Sequence, residues 1–283
     1  MTSVLAASSA PGELRAREAA LLEGLRKLPS LIVAYSGGVD SAYLGWAAAA
    51  ANGDRVLCVT ADSPSYPERH RAMAIAIARD FSLPHEIIQT REMDRPEYRA
   101  NPVNRCYFCK HELYTSLRAL ATARGFHAIA DGNNADDRAD YRPGRAAARE
   151  FGVISPLDEA ELTKAEIRAL SRAAGLPTWD EPASACLSSR IPYQSEVTET
   201  KLRAIEDAED ALRALGFRVL RVRHLGTMAR LEFGADELAR AAEPEMARAI
   251  AAAVVGCGFE AVTVDPSGYR RGSLNEGITL RPI

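Results

Sequence analysis

Apolar positions in the first half of the chain alternate between helical spacing and short unbroken runs. From Glu13 to Leu28 they recur at helical spacing with charges between them, which predicts a first helix. Leu31 to Tyr35 is a continuous apolar run stopped by Ser36-Gly37-Gly38, the pattern of a buried parallel strand. The same reading predicts a helix from Ser41 to about Ala51, a strand over Arg55–Thr60 and a helix over Glu68–Asp80. A strand over His85–Gln89, a helix over Cys109–Arg124 and a strand over His127–Asp131 follow. Such βαβ repetition implies an α/β fold with a doubly wound parallel sheet, whose ligand belongs beyond the carboxyl ends of the strands. Ser36, Ala61-Asp62 and Gly132-Asn133 fall there.

The alternation breaks between Pro177 and Pro192, a stretch containing Trp179 and Pro182 that reads as a linker or active-site loop. Beyond it the pattern predicts a helix over Thr198–Leu215 and strands over Phe217–Arg223 and Met228–Phe233. Helical segments to about Val255 and a strand over Glu260–Asp265 complete a smaller C-terminal α+β domain. No internal repeat is visible. The length of 283 residues suits two domains, placed at 1–180 and 195–283.

Composition narrows the function classes. With 47% hydrophobic and 26% charged residues the chain reads as an ordinary soluble globular protein. A net charge of -3 argues against broad nucleic-acid binding, which relies on many Lys and Arg. No apolar run approaches the roughly 18 to 20 residues of a membrane span. Met1 to Pro11 lacks the basic start and long apolar stretch of a secretory signal, so the expected location is the cytoplasm. Five cysteines, two of them three positions apart, point to metal or redox chemistry rather than a disulfide framework.

Candidate chemistry begins at Ser36-Gly37-Gly38-Val39-Asp40-Ser41. The glycines permit positive φ and close approach to an anion, the serines add hydroxyls, and the helix that follows attracts phosphate at its N-terminus. Asp40 suits this setting as a Mg²⁺ ligand. The GxxxxGK[ST] loop of γ-phosphate transfer is absent. These residues resemble the PP-loop of the ATP pyrophosphatases, which adenylate an acid group and release pyrophosphate. Asp131-Gly132-Asn133-Asn134-Ala135-Asp136-Asp137 resembles that class's second nucleotide segment. The ATP site implied by the resemblance comprises Ala34, Ser36, Gly37, Gly38, Val39, Asp40, Ser41, Thr60, Gly132, Asn133 and Asp136.

Three thiols stand out. Cys106 and Cys109, in Arg105-Cys106-Tyr107-Phe108-Cys109-Lys110, lie one helical turn apart and could share a metal or cluster. Cys186 lies alone in the irregular segment, near Arg190, where a cation would favour its thiolate. Cys58, in a predicted buried strand, and Cys257 read as packing residues. Zinc is one reading of the pair, but zinc takes four ligands and there is no second CxxC. Three cysteines could instead hold three irons of a [4Fe-4S] cluster and leave the fourth open to exogenous sulfide.

Taken in order, these motifs resemble the LarE family, ATP-dependent sulfur transferases of nickel-pincer nucleotide biosynthesis. The likeness runs from about Leu31 to the C-terminus. It rests on the 36–41 loop, the RCYFCK stretch, DYRPGR at 140–145, the SACLSSR loop, Arg221-Val222-Arg223 with Ala229-Arg230-Leu231-Glu232, and the segment 268–276. It implies a small-molecule nucleotide substrate, pyridinium-3,5-biscarboxylic acid mononucleotide, whose carboxylates become thiocarboxylates. It implies that Cys186 carries sulfur, sacrificially in some members and with a [4Fe-4S] cluster on Cys106, Cys109 and Cys186 in others, sulfide or another donor supplying the sulfur. It also implies a homohexamer. Arg221 and Arg223, alternating on a predicted strand, would grip the substrate phosphate together with Ser189 and Arg190, and Trp179 could stack on the pyridinium ring. The rivals are a tRNA thiolase, which the acidic charge disfavours, an amide-forming ligase, which needs no thiols, and a zinc-stabilised nucleotide-binding regulator.

Overall fold

The computed structural model describes residues 11–138, 143–182 and 185–270. In it, helix α1 (Pro11–Arg26) precedes β1 (Leu31–Ala34), α2 (Val39–Asn52), β2 (Val56–Asp62), α3 (Glu68–Asp80) and β3 (His85–Gln89). A single turn α4 (Pro96–Arg99), the long α5 (Arg105–Arg124) and β4 (Ala128–Ala130) follow. Helices α6 (Gly144–Glu150), α7 (Pro156–Glu159) and α8 (Lys164–Ala173) lead to 3-10 turns at Pro177–Asp180 and Leu187–Arg190. Last come α9 (Glu199–Ala214), β5 (Leu220–Leu225), β6 (Met228–Phe233), α10 (Leu238–Ala241), α11 (Pro244–Val255) and β7 (Ala261–Val264).

The chain divides into two compact units. One takes the residues up to Asp62, Glu68–Thr90 and Cys106–Ser184; the other takes Ser63–Pro67, Arg91–Arg105 and everything from Ala185 on. The second unit thus draws two short segments from the first half of the sequence.

The first unit is α/β, built on a parallel sheet in the order β3-β2-β1-β4, with Leu31 opposite both Val56 and Ala128. Leu31 and Val33 pack with Leu21, Leu44 and Leu170 on one side, while Ile32 packs with Tyr114, Leu117 and Ala121 on the other. Successive strand residues face opposite ways, so helices cover both faces and the strand carries no polar punctuation. Gly45 brings α2 against β2, where an added Cβ would lie 2.9 Å from Cys58 Sγ. Burial pushes the Cys58 thiol up to about 12, as befits a core residue.

Helix α5 starts at Arg105, earlier than the periodicity predicts, because Cys106-Tyr107-Phe108-Cys109 offers no polar contrast from which to read a helical period. Cys106 and Cys109 therefore occupy its first turns. Helices α6 to α8 fall where the pattern proposes no element. The last of them opens with a Thr163–Glu166 capping box and buries Ile167 and Leu170.

In the second unit β5 and β6 form an antiparallel hairpin through Gly226-Thr227, with Gly226 at φ +69°, and β7 joins β6 in parallel. Helix α9 packs on β5 through a face including Leu202, Ile205 and Leu212. The Phe217 and Phe233 rings meet at 4.4 Å. Strand β5 begins later than predicted because the Arg218 and Val219 amides donate to the Glu237 carboxylate instead of a ladder. Among the described residues no helix is long and apolar enough to cross a membrane.

Candidate active site

The glycine loop lies at the carboxyl end of β1, the central position the switch-point rule assigns to ligands. Gly37 has φ +63°, and a Cβ there would lie 2.7 Å from Ala74 Cβ on α3, so both the conformation and the close approach demand glycine. Gly38, extended at φ −72° and ψ 162°, is the N-cap of α2, whose first-turn N–H groups have no intrahelical acceptors. The Ser36 N–H donates to Ser41 Oγ at 3.1 Å, the two serine hydroxyls lie 3.1 Å apart, and Ser41 Oγ donates to the Gly38 carbonyl at 3.2 Å. The loop is closed on Ser41, while Ser36 is exposed and Val39 buried.

The turn after β4 closes on the same helix end. A Cβ on Gly132 would stand 3.1 Å from the Ser41 nitrogen and 3.2 Å from Asp40 Cβ. Asn134 Nδ2 donates to Asp40 Oδ1 at 3.3 Å, and Lys164 Nζ to Asp40 Oδ2 at 2.5 Å. The Lys164 amide donates to Asp136 Oδ2 at 2.9 Å. Asn133 turns back to Asp131, which also accepts from Tyr114 and Ser155. Burial and then the Asp131 charge push the Tyr114 phenol well above its usual range, so it stays a donor. Thr60 Oγ1 donates to the Tyr35 carbonyl at 2.9 Å and lies 2.8 Å from His85 Nε2, holding the loop's entry. Ala34, half-buried, ends β1. Lys164 was not singled out by sequence reasoning. The Thr163-x-x-Glu166 signature would have placed it at the first position of a helix, but nothing local ties it to Asp40.

Cys106 is exposed and Cys109 half-buried on α5 of the first unit; Cys186 is half-buried in the second. The Tyr107 hydroxyl beside them donates to Glu150 Oε2 on α6 at 2.9 Å. A Cβ on Gly144 would lie 2.9 Å from Lys110 Cγ and 3.5 Å from the Cys106 carbonyl, so α6 begins hard against this turn. Among the described residues no group of three His, Cys, Asp or Glu is gathered as a metal site. Cys257, in the turn after α11, donates to the Ala253 carbonyl in that helix's last turn.

The arginines near Cys186 are occupied within the second unit. Arg190, 1% exposed, grips both Glu209 oxygens from Nε at 2.9 Å and Nη2 at 3.0 Å. Its Nη1 donates to the Ala185 and Cys186 carbonyls and to Ser189 Oγ. Glu209 also accepts from Arg213 at 2.9 Å and from the Val222 amide at 3.2 Å. Burial raises the Glu209 pKa, but Arg190, Arg221 and Arg213 together outweigh it and hold the carboxyl at about 2. Arg223 donates to Glu232 Oε2 at 2.7 Å and to the Ser189 carbonyl at 2.8 Å. Arg221 donates to the Leu220 carbonyl at 2.6 Å and lies over the Tyr269 ring at 4.9 Å. Burial first, then Arg190, push its pKa down to about 10, with the Glu209 charge acting against them.

No protein-family model matches the chain. It is 42% identical over 262 residues to uncharacterized protein slr1717 of Synechocystis, spanning 91% of this chain and 98% of the relative. It is 31% identical over 269 residues to the pyridinium-3,5-bisthiocarboxylic acid mononucleotide synthase of Lactiplantibacillus plantarum, spanning 94% of this chain and 96% of that enzyme. The chain belongs to the LarE family. Uncharacterized protein MJ0830 of Methanocaldococcus jannaschii is 28% identical over 210 residues, 74% of this chain and 80% of the relative.

Of the LarE motifs quoted from the sequence, residues 140–142, 183–184 and 271–276 lie outside the described residues. Trp179 lies in the first unit, 37% exposed, with the Arg172 guanidinium 4.8 Å from its ring centroid. One face of the Trp179 ring in this LarE-family chain is thereby taken.

Proposed function

We propose that this LarE-family chain is an ATP-dependent sulfur transferase that adenylates the carboxylates of pyridinium-3,5-biscarboxylic acid mononucleotide and converts them to thiocarboxylates. The observation that carries the reading is the meeting of Asp40 and Lys164 at the mouth of the glycine loop. It joins an anion-binding helix end to a carboxylate suited to Mg²⁺ and a cation suited to phosphate.

The loop and the start of α2 would take the ATP phosphates, and Asp40 would hold the magnesium ion that accompanies them. Lys164, which meets Asp40 at 2.5 Å, would offer its ammonium to the departing pyrophosphate. A substrate carboxylate oxygen attacks the α-phosphorus, the bond to pyrophosphate breaks, and an acyl-adenylate results. Sulfur then attacks the acyl carbon, a C–S bond forms, and AMP leaves with the original oxygen. Close positioning of the two reactants supplies much of the rate. Arg221, a buried guanidinium over the Tyr269 ring, suits the substrate phosphate.

The donor set fits an iron–sulfur cluster in chemistry. Cys106, Cys109 and Cys186 are partly or fully exposed, unlike Cys58, and thiolates are the ligands such clusters take. When bound, the cluster would supply sulfide for transfer, with Cys106, Cys109 and Cys186 as its candidate ligands.

Pyrophosphate release should require the biscarboxylate mononucleotide together with Mg-ATP, and anaerobic protein should contain iron and sulfide that Cys106→Ser removes. Release driven by tRNA in place of the mononucleotide would overturn the substrate assignment. Loss of about 34 mass units from Cys186 in cluster-free protein, H₂S departing to leave dehydroalanine, would replace cluster chemistry with sacrifice.

A further inference from the structure

The loop that carries Cys186 is held mainly through its carbonyl groups, all by residues of its own unit. Arg190 takes the carbonyls of Ala185 and Cys186, Arg105 takes that of Ser188 at 2.9 Å, and Arg223 takes that of Ser189. Arg190 and Arg223 are further anchored by Glu209 and Glu232. Arg105, 3% exposed, places its Nη1 against Asn101 Oδ1 at 2.5 Å as well as against the Ser188 carbonyl.

Asn101 is fully buried at φ +53°, an unusual backbone for a side chain other than glycine. It repays that strain by donating from Nδ2 to the carbonyls of Ile191, Pro192 and Ser195. The Tyr98 hydroxyl lies 2.6 Å from Ser188 Oγ, and the Leu187 amide donates to the Ser65 carbonyl at 2.9 Å. Residues 98–105, which the second unit draws from the first half of the chain, are therefore the template on which 187–195 is laid. Arg105 is also the residue directly before Cys106.

We propose that Arg105 is a positioning residue for sulfur transfer: its guanidinium, set by Asn101, fixes the Ser188 carbonyl and thereby where Cys186 stands when the acyl-adenylate is attacked. This rests on the reading of Cys186 as the sulfur-bearing residue. A guanidinium nitrogen held between two buried acceptors sets a geometry that a flexible side chain does not, and a misplacement of about 1 Å at a reacting group costs about 100-fold.

The test is to measure pyrophosphate release and thiocarboxylate formation separately in Arg105→Gln and Arg105→Lys, with Mg-ATP and the biscarboxylate mononucleotide. For Arg105→Gln the expected result is pyrophosphate release within about twofold of the parent and thiocarboxylate formation lowered by about 10- to 100-fold. Arg105→Lys, which keeps one donor for the Ser188 carbonyl, should recover part of the loss. Unchanged thiocarboxylate formation overturns the proposal, and so does an equal fall in both half-reactions, the signature of general structural support. Should Arg105→Gln not accumulate as folded protein, Tyr98→Phe decides by the same split, because it removes only the hydroxyl on Ser188. The underlying reading fails separately: Cys186→Ala protein that still makes thiocarboxylate would remove the role of Cys186 whatever Arg105 does.

Discussion

Replacing Glu209 by Gln keeps the side chain's shape and removes the charge around which the second unit's arginines are arranged. Glu209 is 1% exposed and meets Arg190 at 2.9 and 3.0 Å and Arg213 at 2.9 Å. Its folded pKa of about 2, against 4.5 unperturbed, favours the ionised form by about 3 kcal/mol at about 1.4 kcal/mol per pH unit. Breaking a buried pair and stranding its cation costs about 3–5 kcal/mol. Glu209→Gln should therefore destabilise the second unit by a few kcal/mol at pH 7. A carboxylate whose folded pKa is depressed contributes fully above its unfolded value and loses that contribution as pH falls through the folded value. The deficit should accordingly shrink as pH drops from 4.5 toward 2. Trp46 and Trp179 both lie in the first unit, so their fluorescence does not report on the second. Hydrogen exchange read by mass spectrometry over α9 and β5 does. A deficit below about 1 kcal/mol at pH 7, or one that stays constant as the pH falls, would refute the electrostatic reasoning.

Two further substitutions address the proposed nucleotide site. Lys164→Met removes the ammonium 2.5 Å from Asp40 and should lower mononucleotide-dependent pyrophosphate release by about 100-fold or more while the circular dichroism spectrum is unchanged; a rate near that of the parent would exclude Lys164 from the chemistry. Gly37→Ala places a methyl group 2.7 Å from Ala74 Cβ at φ +63°, so it should cost about 1–3 kcal/mol and abolish ATP binding by calorimetry, an outcome that normal binding would contradict.

The strand β1 was legible because both its faces are covered and its four residues are all apolar. The loop 36–41 was legible as a strand-to-helix turn because its glycines and serines interrupt the apolar run of β1 just before a helical pattern begins. The start of α5 was not, since Cys106 to Cys109 supply no contrast between buried and exposed positions. Arg190 shows the limit of reading by adjacency. Four residues from Cys186, it invited pairing with the thiolate, yet its fork is committed to Glu209, 19 residues away on α9.

By itself the sequence determined the α/β class, the glycine loop between β1 and α2, and the family, because these depend on residue types in a fixed local order. The tertiary structure alone decided that Lys164 reaches Asp40 across 124 residues, and that Arg105 and Asn101 grip the Cys186 loop about 90 residues further along. Such contacts leave no periodic trace in the chain. They form where the fold brings a donor to a carbonyl or carboxylate from a distant part of the chain, and the more the pair is buried the more leaving it unpaired would cost.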